Sequence, residues 1–222
     1  MTLEEITKEA VTSAADDVGD QAFRLWEDFE WASYANEAVQ LLCEEFLLIT
    51  DSSTASVCSI VVASGTAIYP YSDKILHIEE ARLSGRRKPL DFRTGAFFTA
   101  QNPEWRTQIG EPTAYCIDET TGFIRFDKIP ESAGTLALTV KRMPLLDLSE
   151  SRKKDPPEIH PRYHKRLKHY MLFKAYSKRD TEAIDPSKAN RNFELWLLDK
   201  EAVRQSELRM KKGSREPYRG YW

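Results

Sequence analysis

Apolar residues recur at helical spacing near both ends of the chain and alternate in strand fashion between them. Behind Thr2-Leu3-Glu4-Glu5, a capping-box pattern, Leu3, Ile6, Ala10 and Ala14 repeat every three to four positions. That spacing predicts a first helix to about Asp16, stopped by Gly19. Trp31, Tyr34, Ala35, Ala38, Leu41, Leu42 and Phe46 make one stripe of a second helix from Trp26 to about Leu48. Its acidic residues Glu27, Asp28, Glu30, Glu37, Glu44 and Glu45 point elsewhere. From Thr50 the texture changes to a turn cluster, Asp51-Ser52-Ser53-Thr54, followed by β-branched Val57, Ile60, Val61 and Val62.

Short strands are predicted at Ala67–Tyr71 and Ile75–Ile78, with a hairpin tip at Gly85 and Arg86-Arg87-Lys88. Three more follow at Ala114–Ile117, Gly122–Phe126 and Thr135–Val140, separated by turn residues. Asp91–Gly110 carries Phe92, Phe97, Phe98 and Trp105 with little periodicity and reads as irregular or short-helical. The charged, proline-containing run Glu150–Pro157 is a linker, after which Pro161 opens a helix to about Lys178. Leu167, Tyr170, Met171 and Tyr176 mark its apolar face. A last helix from about Ser187 to Lys211 is anchored by Phe193, Trp196, Leu197 and Val203, and Gly213 ends it. The fold class is α+β: N- and C-terminal helices packed as a bundle, an inserted antiparallel β region, and an extended C-terminal tail. The segments are 1–49 (helices), 50–149 (β-rich insertion), 150–212 (helices) and 213–222 (tail).

With 222 residues, 41% of them apolar and 30% charged, the composition excludes wholesale disorder and fibrous repeats. No apolar run approaches the roughly 20 residues that cross a bilayer, so no membrane partner is expected. Met1–Glu5 lacks a basic and apolar leader, so no signal peptide is expected either. Cys43, Cys58 and Cys116 lie far apart in apolar surroundings, which fits buried thiols made in a reducing compartment.

Charge alters the picture more. Residues 1–47 carry twelve acidic and two basic side chains, a net of −10, whereas residues 158–222 carry nine acidic and sixteen basic, a net of +7. Such a separation gives one end affinity for the other end of a neighbour, or for an unlike partner at each end. A search for chemistry yields little. There is no P-loop and no Gly-x-Ser-x-Gly elbow. His160 and His164 have the four-residue spacing of zinc pairs, with His169 nearby. Pro161 puts His160 at the helix start, however, and Arg162, Lys165, Arg166 and Lys168 would repel a cation. The same basic residues with Lys174, Lys178, Arg179 and interleaved aromatics could track phosphates, although no recognised nucleic-acid motif is present. Adjacent carboxylates such as Glu44-Glu45 diverge and make no acid–base couple. No catalytic residue, metal ligand or cofactor is assigned.

The tail is more informative. Arg215, Pro217, Tyr218, Arg219, Tyr221 and Trp222 lie too close together to build a core, and Tyr, Trp and Arg are the usual interface anchors. The tail either folds back onto its own chain or inserts into another subunit.

Taken together, the order of elements resembles podovirus-type head–tail adaptor (connector) proteins of tailed bacteriophages, rings that sit below the portal. The resemblance rests on Trp31–Leu42, Tyr69–Ile78, Gly122–Pro130, Gly134–Pro144, Glu158–Tyr170, Asp185–Ala189 and Phe193, and spans about residues 26–200. Phe92–Trp105 departs from the pattern. The resemblance implies a dodecameric ring in the virion, made in the host cytoplasm. The ring would join the portal above to tail nozzle or fibre proteins below, and double-stranded DNA would pass through it without sequence specificity. On that reading the acidic residues Glu27, Asp28, Glu30, Glu37, Glu44 and Glu45 face the channel and repel phosphates. The tail residues Arg215, Pro217, Tyr218, Arg219, Tyr221 and Trp222 clamp the portal or a neighbouring subunit. The alternatives are another neck component (a stopper or tail-tube protein) or a nucleic-acid-binding regulator.

Overall fold

The computed structural model describes residues 1–14, 25–179 and 183–213, of which the last three by backbone alone. The stop expected at Gly19 and the aromatic tail lie outside these residues. In chain order the elements are α1 (Leu3–Ala14), α2 (Asp28–Phe46), β1 (Ile49–Asp51), α3 (Ala55–Cys58), β2 (Ser59–Val62), β3 (Ile68–Pro70), β4 (Ile75–Leu83) and β5 (Asp91–Phe92). They continue with α4 (Gly95–Gln101), β6 (Ala114–Cys116), β7 (Phe123–Phe126), β8 (Gly134–Arg142), α5 (Leu167–Tyr176) and α6 (Pro186–Gly213). The chain divides into two units: a helical one from residues 1–48 and 144–222, and a β-rich one from residues 49–143.

In the helical unit α5 is the central element and contacts α1, α2 and α6. Thr2 and Glu5 cap α1 reciprocally, each backbone N–H donating to the other's side chain. Glu27 and Glu30 do the same for α2. Leu47 closes α2 in the left-handed region at φ 55°. Much of each predicted face is buried: Leu3, Ile6 and Ala10 on α1, Trp31, Ala35, Ala38 and Leu42 on α2, and Leu167, Tyr170, Met171 and Tyr176 on α5; on α2, however, Leu41 is exposed and Tyr34 and Phe46 are only half-buried. Trp26 ties the unit together, packing edge-on against Tyr176 at 5.6 Å and donating from Nε1 to the Ala175 carbonyl at 3.0 Å.

Pro161 starts a 3₁₀ segment, Pro161–Arg166, before α5 begins, so the expected single helix is really two. Proline pre-sets the first turn but not its hydrogen-bond register. A second correction concerns α6. Trp196 and Val203 are buried as expected, but Phe193 and Leu197 are exposed. The buried stripe repeats every seven residues, Ala189–Trp196–Val203, and Phe193 and Leu197, one turn apart, both fall to the same side of it.

In the β unit β8 is the organising strand. It pairs antiparallel with β4 on one side and with β1 and β2 on the other, for example Val140 opposite Asp51 and Leu136 opposite Ile60. Leu136, Leu138 and Val140 point inward from it, while Thr135 and Ala137 face water. The second sheet has the order β3-β7-β6-β5, antiparallel except for the β5–β6 pair. Val57 and Cys58, expected in a strand, instead form the one-turn helix α3. The hairpin tip at Gly85 forms (φ +83°), but Arg86 hooks back to the Pro112 carbonyl and sits 3.5 Å from Glu111.

Asp91–Gly110 is more ordered than its pattern indicates. Thr94 caps α4 by accepting the Phe97 N–H. Trp105 is buried 4.9 Å from Phe98, with the guanidinium groups of Arg106 and Arg125 on its ring at 4.7 and 5.1 Å.

Candidate interaction surfaces

The separated charges of the sequence meet within one helical unit. Lys178 Nζ lies 2.8 Å from Glu30 and Lys174 Nζ 3.0 Å from Glu37, so α5 runs antiparallel along the acidic side of α2. Lys200 of α6 pairs with Glu45. Asp199 of α6 accepts from Arg166 at 2.8 Å and pairs with His169 Nδ1 at 2.6 Å. The Tyr163 hydroxyl donates to Glu207 at 2.6 Å. Each pair is partly open to solvent and contributes at most about 1 kcal/mol. Collectively they fix which face of each helix meets the next.

Half of the acidic residues expected to line a channel therefore already have lysine partners: Glu30, Glu37 and Glu45. Of the others, Glu27 is engaged in the α2 cap and Glu44 is exposed. Asp28, at the first turn, is half-buried. The tail residues Arg215, Pro217, Tyr218, Arg219, Tyr221 and Trp222 lie outside the described residues. The basic helix likewise has Arg166, Lys174 and Lys178 engaged by carboxylates, which reduces the field it can offer to phosphates.

The histidines are separated by role. His164 is buried, with Nε2 2.8 Å from the Ile159 carbonyl and Nδ1 3.2 Å from the Met1 nitrogen, a donor. Burial is the main cause that holds its pKa below the ordinary histidine value. His160 Nδ1 accepts the Arg162 N–H at 3.2 Å, and His169 faces Asp199. Among the described residues no group of three or more His, Cys, Asp and Glu could hold a metal ion. Cys43, Cys58 and Cys116 are buried, and burial pushes the Cys116 thiol up to about 12, far from reactivity. No helix among the described residues is long and apolar enough to cross a membrane.

What the sequence concealed is an exposed apolar patch on α6. Phe193, Leu197 and Leu198 are 40, 47 and 68% exposed, and Leu41 of α2 is exposed as well. Scattered exposed leucines are ordinary, but Phe193 and Leu197, four apart, share one face of the helix, with Leu198 about 100° further round. The one available signal was their offset from the seven-residue buried stripe.

The profile of the SU10 adaptor protein family matches residues 1–215, nearly the whole chain. The chain belongs to the SU10 adaptor protein family. No curated protein sequence matches it. Membership makes this adaptor a structural phage protein of the head–tail interface, which meets portal and tail components, and the family is not one of enzymes. The architecture is α+β, with helices at both ends of the chain around the β insertion. The match includes both helical segments and the β insertion, so the resemblance read from 26–200 extends over the first helix too.

Proposed function

We propose that this adaptor works as one subunit of a podovirus-type ring, a dodecamer, seated beneath the portal. Nozzle or fibre proteins attach below it, and the genome passes through its channel during ejection. The observation that carries the reading is the family match over residues 1–215. The exposed patch Phe193, Leu197 and Leu198 supports it, because ring closure needs broad lateral contacts from each subunit. In the proposal Arg215, Pro217, Tyr218, Arg219, Tyr221 and Trp222 grip the portal or a neighbouring subunit. The channel wall takes its negative charge from Glu27, Asp28, Glu30, Glu37, Glu44 and Glu45, of which Glu30, Glu37 and Glu45 contribute less because lysines offset them. DNA then slides without sequence preference. Native mass spectrometry of the chain mixed with purified portal rings tests this: twelve copies per portal are expected. A single copy, or no complex, contradicts the ring.

A further inference from the structure

In contrast to the neutralised flank of α2 and α5, another flank of α5 holds charges that form no ion pair among the described residues. A shallow groove of about 640 Å³ runs between α1 and the Pro161–Arg166 segment with the start of α5. Glu5, Lys8, Glu9, Thr12, Lys165 and Lys168 line it. Among the described residues Lys8, Glu9, Lys165 and Lys168 form no ion pair, although the bundle pairs Arg166, Lys174, Lys178 and Lys200. Charges of both signs left open in one groove suit an occupant that carries both signs.

The end of α6 packs against the same 3₁₀ segment, Pro161–Arg166, that supplies one wall of the groove. Glu207 accepts from Tyr163, and Met210 Sδ is 2.9 Å from Arg162 Nη1. Arg162 and Lys165 are three apart in a 3₁₀ segment, so they lie on one line about 6 Å apart. Lys168 carries the line onto α5. Nine residues follow Gly213, enough chain to reach about 30 Å when extended. They include Arg215, Glu216 and Arg219, whose alternating signs match Glu5 and Glu9 on one wall and the lysines on the other. Pro217 favours an extended course, and Tyr218 can lie over lysine stems. A tether this short gives a chain's own tail a millimolar effective concentration at the groove, an advantage over the tail of another molecule.

We infer that, before assembly, residues 214–222 dock in the groove between α1 and α5 of their own chain, so that the aromatic anchor is stored until a partner displaces it. The inference goes beyond the ring reading and does not depend on it, since it concerns the free subunit.

The test uses the full chain, without portal, carrying Thr12→Cys and Tyr218→Cys. The native cysteines are buried and do not compete. A short bis-maleimide should join the two sites within a single chain, giving a faster-migrating monomer on a denaturing gel. Glu9→Lys should slow that reaction about threefold or more, and adding Arg215→Glu with Arg219→Glu should restore it. Glu9 is half-buried and, among the described residues, in no ion pair, so helix content by circular dichroism should not change. No intrachain product, products only between chains, or a rate indifferent to both charge changes would each overturn the inference. Portal binding plays no part in the readout, so the ring proposal and this one can fail separately.

Discussion

Asp51 ends β1 with its side chain turned away from water, and five donors converge on it. Burial by itself would raise its pKa, but the Thr54 hydroxyl at 2.6 Å, the Ser53 and Thr54 amides at 2.9 and 3.1 Å, and Arg142 Nε at 2.6 Å outweigh it. The carboxyl is held well below the usual carboxylate range. A depressed folded pKa stabilises above the unfolded value near 3.9, and the contribution is lost progressively as pH falls below it. Asp51→Asn keeps an acceptor oxygen but removes the charge on which Arg142 Nε, the Thr54 hydroxyl and the Ser53 and Thr54 amides converge, so the β unit should lose about 2–3 kcal/mol at pH 7. Urea titrations at pH 7 and pH 3 should show the gap between variant and parent narrowing at the lower pH. An equal gap at both would mean that the charge is irrelevant. None of this was legible beforehand. Asp51-Ser52-Ser53-Thr54 reads correctly as a turn cluster, yet the partner arginine is 91 positions away and its burial depends on the β8 register.

At the level of elements, the helices α1, α2, α5 and α6 were readable because each is long enough for a 3.6-residue period to repeat. α3 and α4 were not, because four and seven residues hold no period and their starts depend on local caps. The direction of α6's buried face was misread, since a stripe rich in Phe and Leu looks like core whether or not anything covers it. The charge gradient was visible, but not that three of its acidic residues, Glu30, Glu37 and Glu45, pair with lysines of the same chain. Lys174→Glu sets a like charge against Glu37, and the helical unit should lose about 1 kcal/mol at low salt. Adding Glu37→Lys should recover the loss. In 1 M salt, where the Debye length is about 3 Å, both changes should fade. Thermal unfolding followed by far-ultraviolet circular dichroism measures all three, and failure of the reversed pair to recover would show that packing, not charge, orders these faces.

For the molecule as a whole, the two proposals about the tail make opposed demands on the same nine residues. If the aromatic anchor grips the portal and also rests in the groove beside α1, the groove competes with the portal for it. Truncation after Lys212 leaves every buried residue among the described ones in place, so the shortened chain should keep its helix content and its melting temperature to within a few degrees. It should nevertheless co-sediment with portal rings far less well than the full chain. Glu9→Lys should act in the other direction: by weakening the stored state it leaves more tail available, and attachment to portal rings should tighten by up to about the factor by which intrachain cross-linking slows, because a ligand's apparent affinity scales with the competent fraction of its partner. Combining Glu9→Lys with the truncation should cancel that gain entirely, since there is then no tail to release. A gain that persisted in the truncated chain would place the effect on the α1 surface itself, and the tail would lose its part in the mechanism.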